Sequence, residues 1–331
     1  FIYVAFFTPT GNPVLFGILV AASVFHLWQV LGYLHSVWPR KRRNEFDVTF
    51  TPNVGVFITV CGEPEDIIEA TVIAAKQMDY PNFSVYILND GLVANRDNWR
   101  EAEDVAKRQG VHCITRETPG GAKAGNINHA LAQTHEEFVV IFDADHIPKP
   151  HFLQAMMGYF VDERVGFVQS PQYYKNHDEN QVTSGAWEQQ ALFFGAIMKG
   201  KNTADTAFMC GTNMVLRRMA LLEAGGMCET SIAEDFLTSL LMHEKKWKSI
   251  YVGQVLAEGL APEDFLSYYK QQFRWARGSL EVVFKYNPLF RRGLSMRQRI
   301  QYLASASYYL SGIVVVINAA LPLVYFYAQI E

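Results

Sequence analysis

Between residues 54 and 142 the chain alternates short apolar runs with longer amphipathic ones. Residues 54–60, 83–88, 111–115 and 138–142 read as strands, and residues 64–78, 97–109 and 121–131 as helices. The last strand, Phe-Val-Val-Ile-Phe, has no polar position, so it is expected to be covered on both faces. Glu63, Glu65 and Asp66 fall in the first turn expected for the first of these helices, where the macrodipole favours acids. Such alternation predicts βαβ units, hence an α/β domain with a mostly parallel sheet flanked by helices. The second half is less regular. It predicts a strand over 165–170, an aromatic-rich helix over 181–198, and a loop or strand at Phe208-Met209-Cys210-Gly211-Thr212-Asn213 that approaches a ligand. Ala233-Glu234-Asp235 opens a helix running to residue 244, and a long helix is expected over 262–284. Phe265, Tyr268, Tyr269, Phe273, Leu280 and Val283 make an apolar stripe along that last helix. It either packs against the domain or lies on a membrane surface.

Two uncharged runs, 13–38 and 303–328, are each long enough to cross a bilayer core of about 20 apolar residues. A buried helix of a large domain is the alternative for the first. Arg40-Lys41-Arg42-Arg43 follows the first run, and Arg291, Arg292, Arg297 and Arg299 precede the second. Both basic ends therefore point at the central domain, which by the positive-inside rule predicts a multi-pass plasma (inner) membrane protein with that domain in the cytoplasm. Charges that follow the first run disfavour a signal peptide. Phe1 in place of Met and an end at Glu331 just after an apolar stretch read as a piece of a longer membrane protein. A formal net charge of −4 with 19% charged residues indicates no nucleic acid partner. Cys61, Cys113, Cys210 and Cys228 include no CxxC pair, so neither a zinc site nor a disulfide framework is indicated.

The chemistry concentrates where the strand 138–142 ends. Asp143 and Asp145 fall one residue apart at its carboxyl end, the edge at which open α/β sheets bind ligands. Two such carboxylates repel unless a cation or a shared proton lies between them. A hard divalent ion takes oxygen ligands from one or two carboxylates plus substrate phosphates, so Asp-Ala-Asp is either a metal and nucleotide-diphosphate site or an acidic turn. Asp90 ends the second strand and is expected in the same crevice. Gln271, Arg274 and Trp275 share one helical face at i, i+3 and i+4. Arg fits a diphosphate bidentately, Gln can bond phosphate or sugar, and an indole can stack on a pyranose ring. The plainer reading is a core Trp beside a surface Arg.

Cys61-Gly62-Glu63-Pro64, Asn89-Asp90-Gly91, Lys123-Ala124-Gly125-Asn126, Asp143-Ala144-Asp145-His146, Phe208 to Asn213, Ala233-Glu234-Asp235 and Gln271-Gln272-Phe273-Arg274-Trp275 occur in this order. In that ordered set the chain resembles the processive family 2 glycosyltransferases of GT-A fold, in particular bacterial cellulose synthase catalytic subunits and related β-glucan, chitin and hyaluronan synthases. The resemblance implies that Glu63 and Asp90 line a uridine pocket, Lys123 meets the nucleotide, and Asp143 and Asp145 hold nucleotide and a divalent ion, Mg²⁺ or Mn²⁺. It makes Asp235 the general base. Gln271, Arg274 and Trp275 would hold the diphosphate and cap the acceptor site, with Gly211, Thr212 and Asn213 beside the acceptor sugar. His146 either supports the metal or caps the turn. Three departures stand out: Asn89 where the family has a first Asp, Ala233 where it has Thr, and Cys61 where it often has Tyr.

The implied domains are a membrane helix and basic flank over 1–43, a cytoplasmic GT-A domain over 44–261, interfacial helices over 262–300 and a second membrane helix over 301–331. The implied activity is inverting, processive transfer from a UDP-sugar, foremost UDP-glucose, to a growing β-linked polysaccharide. The partners expected are that donor, the polysaccharide acceptor and the lipid bilayer, with accessory secretion subunits or a homo-oligomer left open. A transferase adding one sugar to a lipid shares the donor site, and a non-catalytic nucleotide-binding subunit is hinted at by Asn89 alone. The absence of GxGxxG after the first strand disfavours a dinucleotide oxidoreductase.

Overall fold

The computed structural model describes residues 12–38 and 44–328, so the basic cluster at 40–43 lies outside the described residues. The strands are β1 (Val54–Val60), β2 (Phe83–Asn89), β3 (His112–Thr115), β4 (Phe138–Asp143), β5 (Ile147–Pro148), β6 (Val165–Gln169), β7 (Met214–Arg217), β8 (Lys248–Tyr251) and β9 (Ala257–Glu258). Seven of them form one mixed sheet in the order β3-β2-β1-β4-β7-β6-β8, and β5 and β9 pair separately. β3, β2, β1 and β4 run parallel. β7 is antiparallel to β4 and β6, and β8 is parallel to β6.

The β1 and β4 runs are apolar because both of their faces are covered. Ile58, Val60 and Phe142 pack with Ile68 and Val72 of the helix Glu65–Lys76 on one side. Phe57, Leu88 and Ile141 pack with Ile127 of the helix Ala122–Leu131 on the other. All of β4 is buried until Asp143, which is half-exposed. Register sets the site's depth: Thr59 stands opposite Asp143 and Val60 opposite Asn89, so β2, β1 and β4 end at one level.

Several boundaries differ from expectation. Glu63 precedes the first helix, which begins at Glu65, because Pro64 occupies its cap position. The helix expected from residue 97 begins at Glu101, after a series of turns. The one expected from residue 262 begins at Phe265, where the Asp264 side chain caps the Ser267 amide. The helix Gln181–Leu192 passes through a π-helical stretch, Phe193–Met198, and continues to Thr203.

The helix Pro13–Val37 is long and apolar enough to cross a membrane, as is the stretch Met296–Val324. The second is not one uniform helix: Met296–Ser307 and Ser311–Ala328 meet at a 3₁₀ turn, Tyr308–Leu310. Polar contacts tie the two to each other, and one of them, from Lys201, reaches the domain. Trp28 Nε1 and Gln29 Nε2 donate to Ser307 Oγ at 3.3 and 2.9 Å. Gln301 Oε1 accepts from Ser36 Oγ and from the buried Lys201 Nζ, both at 2.8 Å. Gly200 touches the first helix so closely that a Cβ there would coincide with the Ser36 carbonyl. An aromatic cluster continues the joint inward, with Tyr302 5.2 Å from Phe236 and Phe236 4.7 Å from Phe208, ring centre to ring centre.

Candidate active site

The carboxyl ends of β1, β2 and β4, the loop before β7 and the start of the helix Glu234–Glu244 surround one cleft. At its floor the Lys123 ammonium donates to Asp143 Oδ1 and to the Gly211 carbonyl, the latter at 2.8 Å. Burial works against a charged Lys123, but Asp143, Glu234 and Asp235 outweigh it and raise its pKa. One cation thus draws together the end of β4, the 208–213 loop and the acidic helix start.

Asp145 lies beside Asp143, and its Oδ1 is 3.0 Å from His146 Nδ1. Burial opposes its ionisation, yet the bond to His146 and the charges of His146 and Lys123 hold its carboxyl below the usual value. Asp143, Asp145 and His146 each offer a ligand atom, all within 4.8 Å of one another. Two carboxylates with free oxygen lone pairs suit a hard divalent cation. The His146 Nε2 is buried, has no hydrogen-bond partner among the described residues, and faces Gly259, away from Asp145. Glu63 accepts the Cys61 amide at 2.5 Å. Burial, with the Asp143 and Asp145 charges adding to it, pushes the Glu63 carboxyl up.

Asp235 stands across the cleft, its Oδ1 accepting the Phe236 amide at 2.7 Å. Burial, then the neighbouring Glu234, pushes it up to about 7. Burial raises Glu234 also, opposed by Lys123 and Arg274, which places Arg274 within electrostatic reach of the cleft. Gln271 bonds the Tyr174 hydroxyl, Arg274 is exposed and Trp275 is half-buried.

The structure separates other anticipated residues by task. Asp90 is nearly buried in a two-point pair with Arg116, whose Nε and Nη2 each lie 2.7 Å from a carboxylate oxygen. Arg116 also donates to the carbonyls of Gly120 and Ala122, and so sets the loop before the Lys123 helix. Thr212 and Asn213 are fully buried. Thr212 Oγ1 accepts the Asp143 amide at 2.9 Å, and Gln169 Nε2 bonds the Thr212 carbonyl at 2.8 Å. Gly211 alone of the three retains surface, at φ +83°, with Asp235 Oδ2 3.3 Å from where its Cβ would stand. Arg116 and Gln169 escaped sequence reasoning because their partners lie 26 residues (Asp90) and 43 residues (Thr212) away. Asn89 fills its position structurally: its amide donates to the Trp99 carbonyl and its oxygen accepts the Gly91 amide.

The family profile described as glycosyltransferase like family 2 matches residues 52–278. The chain is 34% identical over 307 residues to a cellulose synthase catalytic subunit (UDP-forming) of Xanthomonas axonopodis pv. citri, covering 90% of this chain and 41% of that protein. It is 34% identical over 331 residues to the corresponding Pseudomonas fluorescens protein, covering 96% of this chain and 44% of the relative. The chain therefore spans less than half the length of these relatives. Among solved structures it is similar to a Pyrobaculum calidifontis mannosyltransferase in complex with GDP-Man and Mn²⁺, with a TM-score of 0.76 at 20% identity, over 94% of this chain and 86% of the other. It also matches residues 1–349 of S. aureus TarS in complex with UDP-GlcNAc, with a TM-score of 0.52 at 14% identity, over 78% of this chain and 72% of the other. At those identities the structural likeness speaks for the GT-A fold alone. The profile match over most of the chain, together with this cleft of acids and one lysine, places the chain in glycosyltransferase family 2.

Proposed function

We propose that the chain is the catalytic part of a membrane polymerase that transfers a sugar, foremost glucose, from a UDP-sugar to a growing β-linked polysaccharide with inversion. The observation that carries this is the gathering by Lys123 of Asp143, Glu234 and Asp235 around one cleft, which would set a donor-side carboxylate opposite an acceptor-side base.

Asp143 and Asp145 would hold Mg²⁺ or Mn²⁺, with His146 orienting Asp145. When bound, such an ion neutralises charge on the leaving diphosphate. Lys123 and Arg274 add positive charge on the same side. Glu63 and the Asp90–Arg116 pair border the nucleotide end, and Gln271 and Trp275 the sugar end. Thr212 and Asn213 act by shaping the loop, so an acceptor meets the Gly211 backbone. In the transfer the acceptor hydroxyl oxygen forms a bond to the anomeric carbon on the face opposite the phosphate. The carbon–phosphate-oxygen bond breaks, its electron pair leaves with UDP, and the hydroxyl proton passes to Asp235. A carboxyl held near 7 is matched to that proton transfer at neutral pH.

The two apolar helices would anchor the protein in the plasma membrane, with the domain on the cytoplasmic side and the helix Phe265–Lys285 at the interface. Its exposed Phe265, Tyr269, Phe273 and Phe284 suit that position. Membranes carrying the protein, given radiolabelled UDP-glucose, UDP-N-acetylglucosamine and UDP-glucuronate in turn, should yield a polymer that linkage-specific hydrolases digest. A lipid bearing one sugar would establish the single-addition reading instead. Retained UDP binding with no incorporation from any donor would establish a non-catalytic subunit.

A further inference from the structure

The helix Phe265–Lys285 is docked onto the segment leading to Asp235 by the continuation, one to two turns further on, of the face that carries Gln271, Arg274 and Trp275. Gly278, Glu281, Val282 and Tyr286 recur at i, i+3, i+4 and i+8, hence on one side. Gly278 and Val282 are buried there. Glu281 Oε2 accepts from Ser231 Oγ at 3.0 Å, and Ser231 Oγ in turn accepts the Ala233 amide at 3.2 Å. The hydroxyls of Tyr286 and Thr230 are 2.9 Å apart. Between these contacts the two backbones nearly touch. A Cβ on Gly278 would stand 2.6 Å from Ala233 Cβ and 2.9 Å from the Ala233 nitrogen, inside any normal contact distance. Ala233 is the residue on which the acidic helix starts: its carbonyl accepts the Leu237 amide at 3.0 Å, and Glu234 and Asp235 follow directly.

We propose that Gly278 and Ala233 form a close-packed joint through which the interfacial helix sets the position of Glu234 and Asp235, so that both are positioning residues for the transfer. This rests on the reading of Asp235 as the base. The joint explains why one helix can carry membrane-facing aromatics, the Gln-Arg-Trp face and the register of the base together. A shift of that helix moves residue 233, and the carboxylates move with it. It also fits Ala233 at the cap position, since the Phe236 amide that a side chain there would otherwise cap is taken by Asp235 Oδ1.

A methyl at 278 needs about 1 Å of separation to reach ordinary van der Waals distance, and a misplacement of that size costs about 10²-fold in rate. The test compares Gly278→Ala, and Gly278→Ala with Ala233→Gly, in the full-length membrane protein. Gly278→Ala should lower turnover by about 10–100-fold. Adding Ala233→Gly removes the 2.6 Å contact and leaves the 2.9 Å one, so it should recover part of the loss. Hydrogen exchange over residues 234–238 should rise in the single variant and fall back in the double. Undiminished turnover with unchanged exchange in Gly278→Ala, or no recovery of either in the double variant, overturns the joint. If the parent itself transfers no sugar, the functional reading fails, and the exchange pattern alone decides the joint.

Discussion

Asp235→Asn keeps the side chain's size and removes its basicity. Loss of a positioned general base costs roughly 10²–10⁴-fold in turnover, which is about 3–5 kcal/mol of barrier at 1.36 kcal/mol per decade. The group stands apart from Asp143 and Asp145, the pair proposed to hold the cation, and its Oδ1 is already engaged by the Phe236 amide, so UDP affinity should stay close to the parent's. The raised pKa adds two dependent outcomes. With the carboxyl at about 7, the ionised fraction falls from about one half at pH 7 to about one tenth at pH 6. Parent turnover should therefore drop about fivefold over that unit, while the residual rate of the variant should lack this limb. A carboxyl whose folded pKa lies above its unfolded value favours folding while protonated, and that contribution is lost as pH rises through 7. Asp235→Asn should accordingly melt higher than the parent at pH 8, with a smaller gap at pH 5. Initial rates of labelled-sugar incorporation, calorimetry with UDP and Mg²⁺, and thermal melts at the two pH values measure all of this. A folded variant that has lost UDP affinity would place Asp235 on the donor side, and near-parental turnover would pass the base role to Glu234.

Chelation should abolish turnover and Mn²⁺ or Mg²⁺ should restore it, because Asp143 and Asp145 offer adjacent carboxylates; full activity in excess EDTA refutes that assignment. Arg116→Met leaves Asp90 as an unpaired buried carboxylate, which typically costs about 3–5 kcal/mol. It should also free the carbonyls of Gly120 and Ala122, so both the melting temperature and UDP affinity should fall, and an unchanged melting temperature would show that the pair contributes little. Gly200→Ala drives a methyl into the Ser36 carbonyl and should cut the yield of folded, membrane-extracted protein, read by size-exclusion chromatography. An unaffected profile would mean that the first apolar helix is not seated as described. An impermeant thiol reagent should leave Cys113 and Cys228, both partly accessible, unlabelled in intact cells and label them after lysis. Labelling before lysis would invert the topology.

Periodicity alone was enough for the strands and helices around β1 and β4, because a strand covered on both faces must be apolar throughout and its helices must alternate. The same logic made Asp143 and Asp145 conspicuous, since charge at the end of such a strand has no packing role. The resemblance of ordered motifs carried the remaining site residues, but which of them face the cleft depends on contacts distant in sequence. Thr212 and Asn213 lie in the motif yet are buried, because Gln169 and the Asp143 amide use them to fix the loop. Asp90 is a carboxylate in sequence and half of an ion pair in space, since β3 ends beside β2 and delivers Arg116. Asp235 acquires its raised pKa only when the fold buries it beside Glu234, against the opposing charge of Lys123, an electrostatic environment with no local signature. The Gly278–Ala233 approach is likewise invisible along the chain: a glycine inside a helix reads as a weak spot until a second backbone, 45 residues earlier, occupies the space its side chain would fill.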